Sequence, residues 1–555
     1  VAGFCHRRGR SSLIGLVLLS SACAAPVPMP GAAPVTSRFA MGGVSTAEAG
    51  IRHYLPDGDS LALRSIAGLP GDTLLRLLHY GLAHHRLGHW QASNYALQQA
   101  EAIAEARYTK SLSQGLGSAL INDKVLDYNP PPHERAFMHY YGMLNYLQLG
   151  DRDAALVEAR KANVFLERYT RENGERSYES DAAVQYVAGM LQWARGDTDD
   201  AIVSLRKAGM AYDTYRERYG LSAPKFVGVD LARTASALGI TEVAADVSKT
   251  YGLTKADIAP TKGSGELIVL IENGYIAHRI QQKLYVPILA SEKAMLSAGG
   301  LETAVAVLPL VDRTITLFTE TMRGNEYAKA YQDGYVLGAI ITGGDVFSMA
   351  WPKYSLYANG AEKVTVAVGT ARQEGLVIDD LSAIAARHFE EEKGAIMRRA
   401  LFRAAGKYVL SNLAGNATEK LASRAGAGGW VSQGIGMLGK AGAQVVADKS
   451  EQADTRSWSS LPAEIRAARF TLPPGDHPVT VKVLDADGTI RNIDLGVVKI
   501  ASGETAVRST FVDAPNRGSP QRFAMAQQGV DIRAGTAVAS GAPPAGSTAS
   551  LAGGA

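Results

Sequence analysis

The feature that most constrains this chain is a change of hydrophobic period part-way along it. Between residues 70 and about 255, apolar side chains recur at i, i+3, i+4 and i+7. Leu74, Leu75, Leu77, Leu78 and Leu82 do so, and the pattern returns through 137–166 and 183–215. That spacing belongs to helices burying one stripe. From about 264 the signal changes to short apolar runs bounded by turn residues, the mark of strands. The expected fold class is therefore multidomain α+β: a helical-repeat N-terminal domain over 70–260, an α+β middle domain over 264–415, and a C-terminal antiparallel β-meander over 461–515.

Three segments of the helical part resemble one another. The first holds Gly81, Gly88, Trp90 and Ala100; the second Tyr146, Gly150, Ala155 and Ala162; the third Gly189, Gly196, Ala201, Leu205 and Ala208. Together they resemble the tetratricopeptide repeat, in which small residues let two helices approach closely and each pair buries its open face on the next. The turn glycines stand 62 and 46 residues apart, against about 34 for that repeat, so the repeats are degenerate or carry insertions such as 114–132. The alternative is an unrelated helical bundle. In tetratricopeptide arrays the first helix of each pair lines a groove that binds peptides. Alignment on the turn glycines places His85 and Arg86 on that face in the first repeat, Tyr140 in the second, and Tyr186, Met190 and Trp193 in the third. The last three are spaced i, i+4, i+7 and share one stripe, which suits a core as well as a binding surface. Aromatics with a polar tip supply much of the energy of an interface, and these residues are the expected site for an envelope protein or peptide partner.

The strand region opens with Glu266-Leu-Ile-Val-Leu-Ile-Glu272, then Asn273-Gly274, then 275–280, an expected hairpin. A second is expected at 354–358, Asn359-Gly360 and 363–368. Residues 303–308 and 313–318 are two further strand candidates, and 380–413 reads as a long helix. The meander is expected from strands 467–472, 479–484, 489–495 and 505–512, with turns at Pro473-Pro-Gly-Asp476 and Asp485-Ala-Asp-Gly488. Between these regions, 416–460 is a Gly- and Ala-rich helical segment.

The ends carry a different message. Arg7, Arg8 and Arg10 precede the apolar run Leu13–Leu19, and Ser20, Ser21, Ala22 and Cys23 follow. A basic start, a short apolar core and small residues describe a secretory signal peptide over 1–22; the run falls well short of the roughly 18 residues of a membrane span. Leu19-Ser-Ser-Ala-Cys23 resembles the lipobox of bacterial lipoproteins, with Ser20 where that motif usually has Leu. The resemblance implies cleavage before Cys23 and lipidation, palmitate included, on that residue. An ordinary cleaved signal with a stray cysteine is the alternative. Cys5 and Cys23 are the two cysteines, which leaves no disulfide framework and no Cys-based metal site. Residues 23–69 begin as a Pro-rich tether, and 516–555 read as a disordered tail. Loss of the three arginines with the signal takes the net charge from +3 to zero, so no global field points to nucleic acid. Membrane affinity is expected through the lipid anchor.

Motifs that carry chemistry fail on context. Gly434-Ile-Gly-Met-Leu-Gly439-Lys440 approaches a nucleotide-binding loop, but Ala441 stands where a P-loop needs Ser or Thr, and no strand precedes it. Ser204-Leu-Arg-Lys207 lacks its companion motifs. Of His84, His85 and His89, the last two stand four apart, but Gly88 interrupts the helix there and no third ligand is indicated. Glu390, Glu391 and Glu392 point in different helical directions, unlike a glycosidase pair. No cofactor, metal or catalytic residue is expected.

Residues 265–274, Arg398 to Tyr408, and Ala453-Asp-Thr-Arg-Ser-Trp458 before Ser460-Leu-Pro462 resemble, over roughly 70–515, a family of Gram-negative outer-membrane lipoproteins with N-terminal tetratricopeptide-like helices. The resemblance implies fold and location on the periplasmic face, and carries no activity. The expected function is non-catalytic binding or scaffolding in the cell envelope. The alternatives are an envelope glycan (peptidoglycan) hydrolase and a subunit of a surface-polymer or lipid export assembly. The oligomeric state stays open.

Overall fold

The computed structural model describes residues 72–113, 127–173, 178, 180–259, 263–298, 313, 316, 341, 345–356, 361–401, 452–485 and 488–512. Cys23, the tether, the glycine-rich stretch 416–451 and the tail lie outside the described residues. No described helix is long and apolar enough to cross a membrane.

Among the described residues, the helical part is built of four antiparallel pairs. They are α1 (Thr73–Arg86) with α2 (Trp90–Ser113), α3 (Pro132–Gln148) with α4 (Arg152–Asn173), α5 (Ala182–Arg195) with α6 (Thr198–Tyr219), and α7 (Lys225–Ala237) with α8 (Thr241–Tyr251). A short α9 (Lys255–Ile258) follows. The turn glycines Gly88, Gly150 and Gly196 all take positive φ, which a side chain would resist. Within three pairs the helices touch at residues sixteen apart. A Cβ on Gly81 would lie 2.8 Å from the Leu97 side chain, one on Gly142 3.1 Å from Glu158, and one on Gly189 2.7 Å from Leu205.

The described strands form three sheets. The central sheet has the order β10-β1-β7-β6, from β1 (Gly265–Asn273), β6 (Leu376–Asp379), β7 (Glu464–Leu472) and β10 (Thr505–Val512). The outer sheet has the order β5-β4-β8-β9, from β4 (Ala361–Val368), β5 (Ala371–Glu374), β8 (Gly475–Asp485) and β9 (Ile490–Ile500). A separate ribbon pairs β2 (His278–Ile288) with β3 (Asp345–Ser355), and α10 (Ala290–Ala298) follows β2. Strand β1 explains the layering. Its Ile268 and Leu270 join the helical core, while Leu267, Val269 and Ile271 join a second core against the outer sheet. A strand apolar on both faces belongs in a middle layer, so the molecule stacks helices, central sheet and outer sheet.

Four expectations are corrected. The four C-terminal strands do not form one meander: β7 and β10 flank β1 in the central sheet, with β10 parallel to it, while β8 and β9 form a hairpin in the outer sheet. Asn273-Gly274 does turn the chain, with Gly274 at positive φ, but it closes no hairpin. Instead Gly274 donates to the Val512 carbonyl and Ile276 to that of Leu461, and β2 pairs with β3. The second expected hairpin also separates, since β3 belongs to the ribbon and β4 to the outer sheet; its turn 359–360 lies outside the described residues. In the candidate strand 313–318, Arg313 and Thr316 are helical, and 303–308 lies outside the described residues.

The first helices of the first three pairs are buried on all sides along most of their length. From Leu74 to His85, Pro132 to Asn145 and Ala182 to Leu191, no residue reaches the surface. The second helices cover one side, and the chain's own strands and the segment 453–463 cover the other. The Trp458 N–H donates to Glu134 Oε1 at 2.9 Å, and its indole lies 6.0 Å from the Tyr141 ring. An indole buries about 150–250 Å², on the order of 4–6 kcal/mol at about 25 cal/mol per Å². Helix α11 (381–401), capped by Asp380 at the Ala383 amide, packs Leu381, Ile384 and Phe389 into the same core.

The close helix approach makes a prediction. Gly189→Ala should cost about 1–3 kcal/mol, since Leu205 and its backbone leave no room for a methyl. Gly209→Ala on α6, where nothing lies within 4 Å, should gain up to about 1 kcal/mol of helix propensity. Urea midpoints measure both. An unchanged midpoint for Gly189→Ala would contradict the packing.

Candidate functional site

The sequence-predicted site residues do not line one open groove. His85, Arg86 and Tyr140 belong to the interior of the first two helix pairs. His85 is buried, with Nδ1 2.6 Å from Asn145 Oδ1 and Nε2 3.9 Å from Glu272 Oε1. Desolvation holds its imidazole below the usual pKa. Arg86 donates to the Ser460 carbonyl at 2.9 Å, stands 3.5 Å from Glu272 Oε2, and lies over the Phe511 ring. Tyr140 is fully buried beside Phe137 and Tyr141. His85 and Arg86 therefore hold the chain's own β1, Ser460 and β10, Tyr140 packs in the core, and the expectation that the three meet a partner is corrected. The physical reason is that the free faces of α1 and α3 are already covered.

The third-repeat stripe behaves differently. Tyr186, Met190 and Trp193 do share one face of α5, and that face descends into a pocket of about 410 Å³ between α5, α7 and one end of the central sheet. Tyr186 and Met190 are buried, so neither is surface-exposed as expected. Trp193, at the far end of the stripe, is half-buried and lines the pocket.

Four charged side chains form the pocket's polar wall. On the helix-facing side of the central sheet, Glu266 of β1 and Arg469 of β7 continue the alternation set by Ile268, Leu270 and Ala467, at the end where the apolar lining stops. Asp230 and Arg233 come from α7. Arg469 Nη2 lies 2.5 Å from Asp230 Oδ1 and 3.0 Å from Glu266 Oε2. The Tyr186 hydroxyl donates to Asp230 Oδ2 at 2.9 Å. Arg233 reaches Glu266 Oε1 at 3.4 Å and donates to the Asp257 carbonyl at 3.0 Å. Burial pushes the Asp230 carboxyl up to about 6, against the pull of Arg469. Burial also works against the charge of Arg469, but Asp230, Tyr186 and Glu266 outweigh it and its proton is held more tightly. Two guanidiniums thus face two carboxylates. The Nε atoms of Arg233 and Arg469 are buried with no hydrogen-bond partner among the described residues, and a buried donor left so costs about 1–3 kcal/mol.

These four residues escaped the sequence reading. Their signal was a charge at an inward position of an apolar pattern: Asp230 between Val229 and Leu231, and Arg469 between Ala468 and Phe470. Other clusters draw their partners from within the chain, except that both carboxyl oxygens of Asp379 are buried with no hydrogen-bond partner among the described residues. Glu101, His139 and Glu158 bring ligand-type atoms together from three helices, but the Lys161 ammonium stands 3.2 Å from Glu101 and 3.1 Å from Glu158. Asp181 and Asp379 are buried together; Tyr178 donates to Asp181, and desolvation, then Asp181, hold Asp379 well above the usual carboxylate range. His84 meets His89 while His85 turns to Asn145. Glu390, Glu391 and Glu392 diverge to Lys393, Arg387 and His388. The segment 434–441 lies outside the described residues.

Asp230 gives a pH prediction with a definite sign. Its folded pKa of about 6 exceeds the unfolded value near 3.9. The stability it contributes is therefore complete below about pH 4 and is lost as pH rises through 6. Asp230→Asn removes this titration. Stability of the natural protein relative to the variant should fall by roughly 2–3 kcal/mol between pH 4 and pH 7, read from urea unfolding at each pH. A difference constant with pH would contradict the buried carboxyl.

No protein-family model matches the chain, and no curated protein matches it. Among solved structures, a chain from the crystal structure of BtubC (BKLC) from P. vanneervenii is similar at 18% identity, over 39% of this chain and 75% of that one. Its TM-score is 0.26, a superposition that carries no argument about this protein.

Proposed function

We propose that this protein is a non-catalytic binding or scaffolding lipoprotein of the Gram-negative envelope. Lipid on Cys23 holds it at the periplasmic face of the outer membrane, and it recognises its partner at the pocket beneath Trp193. The basic start, short apolar core and Leu19–Cys23 run support the anchor. The helix pairs are read as degenerate tetratricopeptide repeats, which the sixteen-residue contacts and positive-φ turn glycines support.

The observation that carries the binding reading is the pocket's internal charge balance. Each carboxylate there already accepts from a guanidinium. Glycan cleavage asks one carboxyl to release a proton while a second attacks or activates water. Here Arg469 is fixed between the two, which suits fixed donors and acceptors better than a cycle of proton transfer. The repeat face that would hold a peptide is filled by the chain itself, so recognition moves to its flank.

Two measurements test this. Cys23→Ala should abolish fatty-acid labelling and release the protein from the membrane fraction; a label that persists would sink the anchor. The lipidated protein should capture an envelope component from detergent-solubilised membranes, with Trp193→Ala reducing that capture at least tenfold while the circular dichroism spectrum is unchanged. Equal capture by the variant, or new reducing ends released from purified peptidoglycan, would overturn the reading.

A further inference from the structure

We infer that the pocket beneath Trp193 takes a sugar ring of an envelope glycan. The inference rests on the proposal that this pocket is the recognition site, and it names the ligand.

Charge decides first. Arg233 and Arg469 are balanced by Asp230 and Glu266. A free anion would have to displace a carboxylate from a buried guanidinium, and a cation would have to displace a guanidinium. Breaking a buried pair leaves one charge uncompensated, which is strongly unfavourable. A neutral ligand needs no such exchange.

Hydrogen-bonding capacity decides next. Each hydroxyl of a sugar donates once and accepts twice, so a ring with adjacent hydroxyls is matched by donors and acceptors placed side by side. A guanidinium beside a carboxylate is such an arrangement, and the ion pairs hold it rigid. Both guanidinium residues and both carboxylate residues line the pocket, so a ring hydroxyl that enters it meets donors and acceptors together.

Shape agrees. The C–H face of a pyranose is apolar and packs flat on an indole, and Trp193 lies at one side of the pocket, with Met190 next to it on the same stripe. At about 410 Å³ the space is at the small end of ligand pockets, which run about 300–1,000 Å³. It suits a ring-sized ligand better than an extended peptide. A glycan chain can enter by its end or by one residue while the rest remains in solvent.

The test is calorimetric titration of the intact mature protein. The probes are the neutral N-acetylglucosamine disaccharide, which carries the ring of the peptidoglycan backbone without its lactyl carboxylate, maltotriose, trialanine and inorganic phosphate. Saturable binding of at least one saccharide is expected, weakened tenfold or more by Trp193→Ala and by Arg233→Lys, the second of which keeps the charge and removes the planar fork of donors. Trp193→Tyr should restore part of the loss. Which saccharide binds distinguishes peptidoglycan from surface polymer. Binding of trialanine or phosphate alone, with the same dependence on Trp193, would overturn the sugar assignment and leave the recognition site standing. Failure of every probe, while Trp193→Ala still impairs capture of membrane components, would do the same. Failure of every probe together with Trp193-independent capture would overturn both.

Discussion

The buried carboxylate of Glu134 organises this molecule. It sits on α3, accepts the backbone N–H of Trp458 and the Tyr128 hydroxyl, and feels the charge of Arg279 across the buried interior. Burial pushes its carboxyl up to about 7, with Arg279 opposing. A few residues away, Arg456 forms a fork on Asp454 and reaches Asp72, which caps α1 and also binds Arg107. Arg279 closes the set by donating to the Arg456 carbonyl. The segment 453–461 is thereby fastened to α1, α3 and β2 at once. Each of these charged groups would be expensive to bury alone; together they specify one docking position.

Docking of this segment decides what the helix array can do. With Trp458 against Tyr141, and Ser460 taken by Arg86 and His79, the faces of α1 and α3 become core. On α5, covering stops short of the last turn. There the apolar stripe ends in Trp193, and the central sheet ends in Glu266 and Arg469, where a charged wall and an indole meet. A helical array that by itself would offer a long groove offers instead one compact pocket at its flank.

Much of this was legible in the sequence. Helical period, turn glycines and the positions of β1, β4, β7, β8, β9 and β10 read correctly because each depends on residues near in sequence, whereas Arg313 and Thr316, in an expected strand, are helical. Pairing was not legible. Asn273-Gly274 has the composition of a hairpin turn, yet the competition for β1 is won by β7 and β10, about 200 residues on. The stripe Tyr186–Met190–Trp193 was read as one face, but its cover comes from α7 and β7, which local periodicity cannot report. Asp230 and Arg469 were visible only as charges out of pattern, and their meaning lies in their distance from each other.

The central claim is that segment 453–461 is an integral part of the helical domain. Hydrogen exchange of the intact protein tests it directly. The Trp458 and Leu461 amides, which donate to Glu134 and to the Trp458 carbonyl, should exchange only in the same cooperative opening that releases α3. Exchange of 453–461 within seconds while α1 and α3 stay protected would contradict it, and would reopen the face that the account treats as closed.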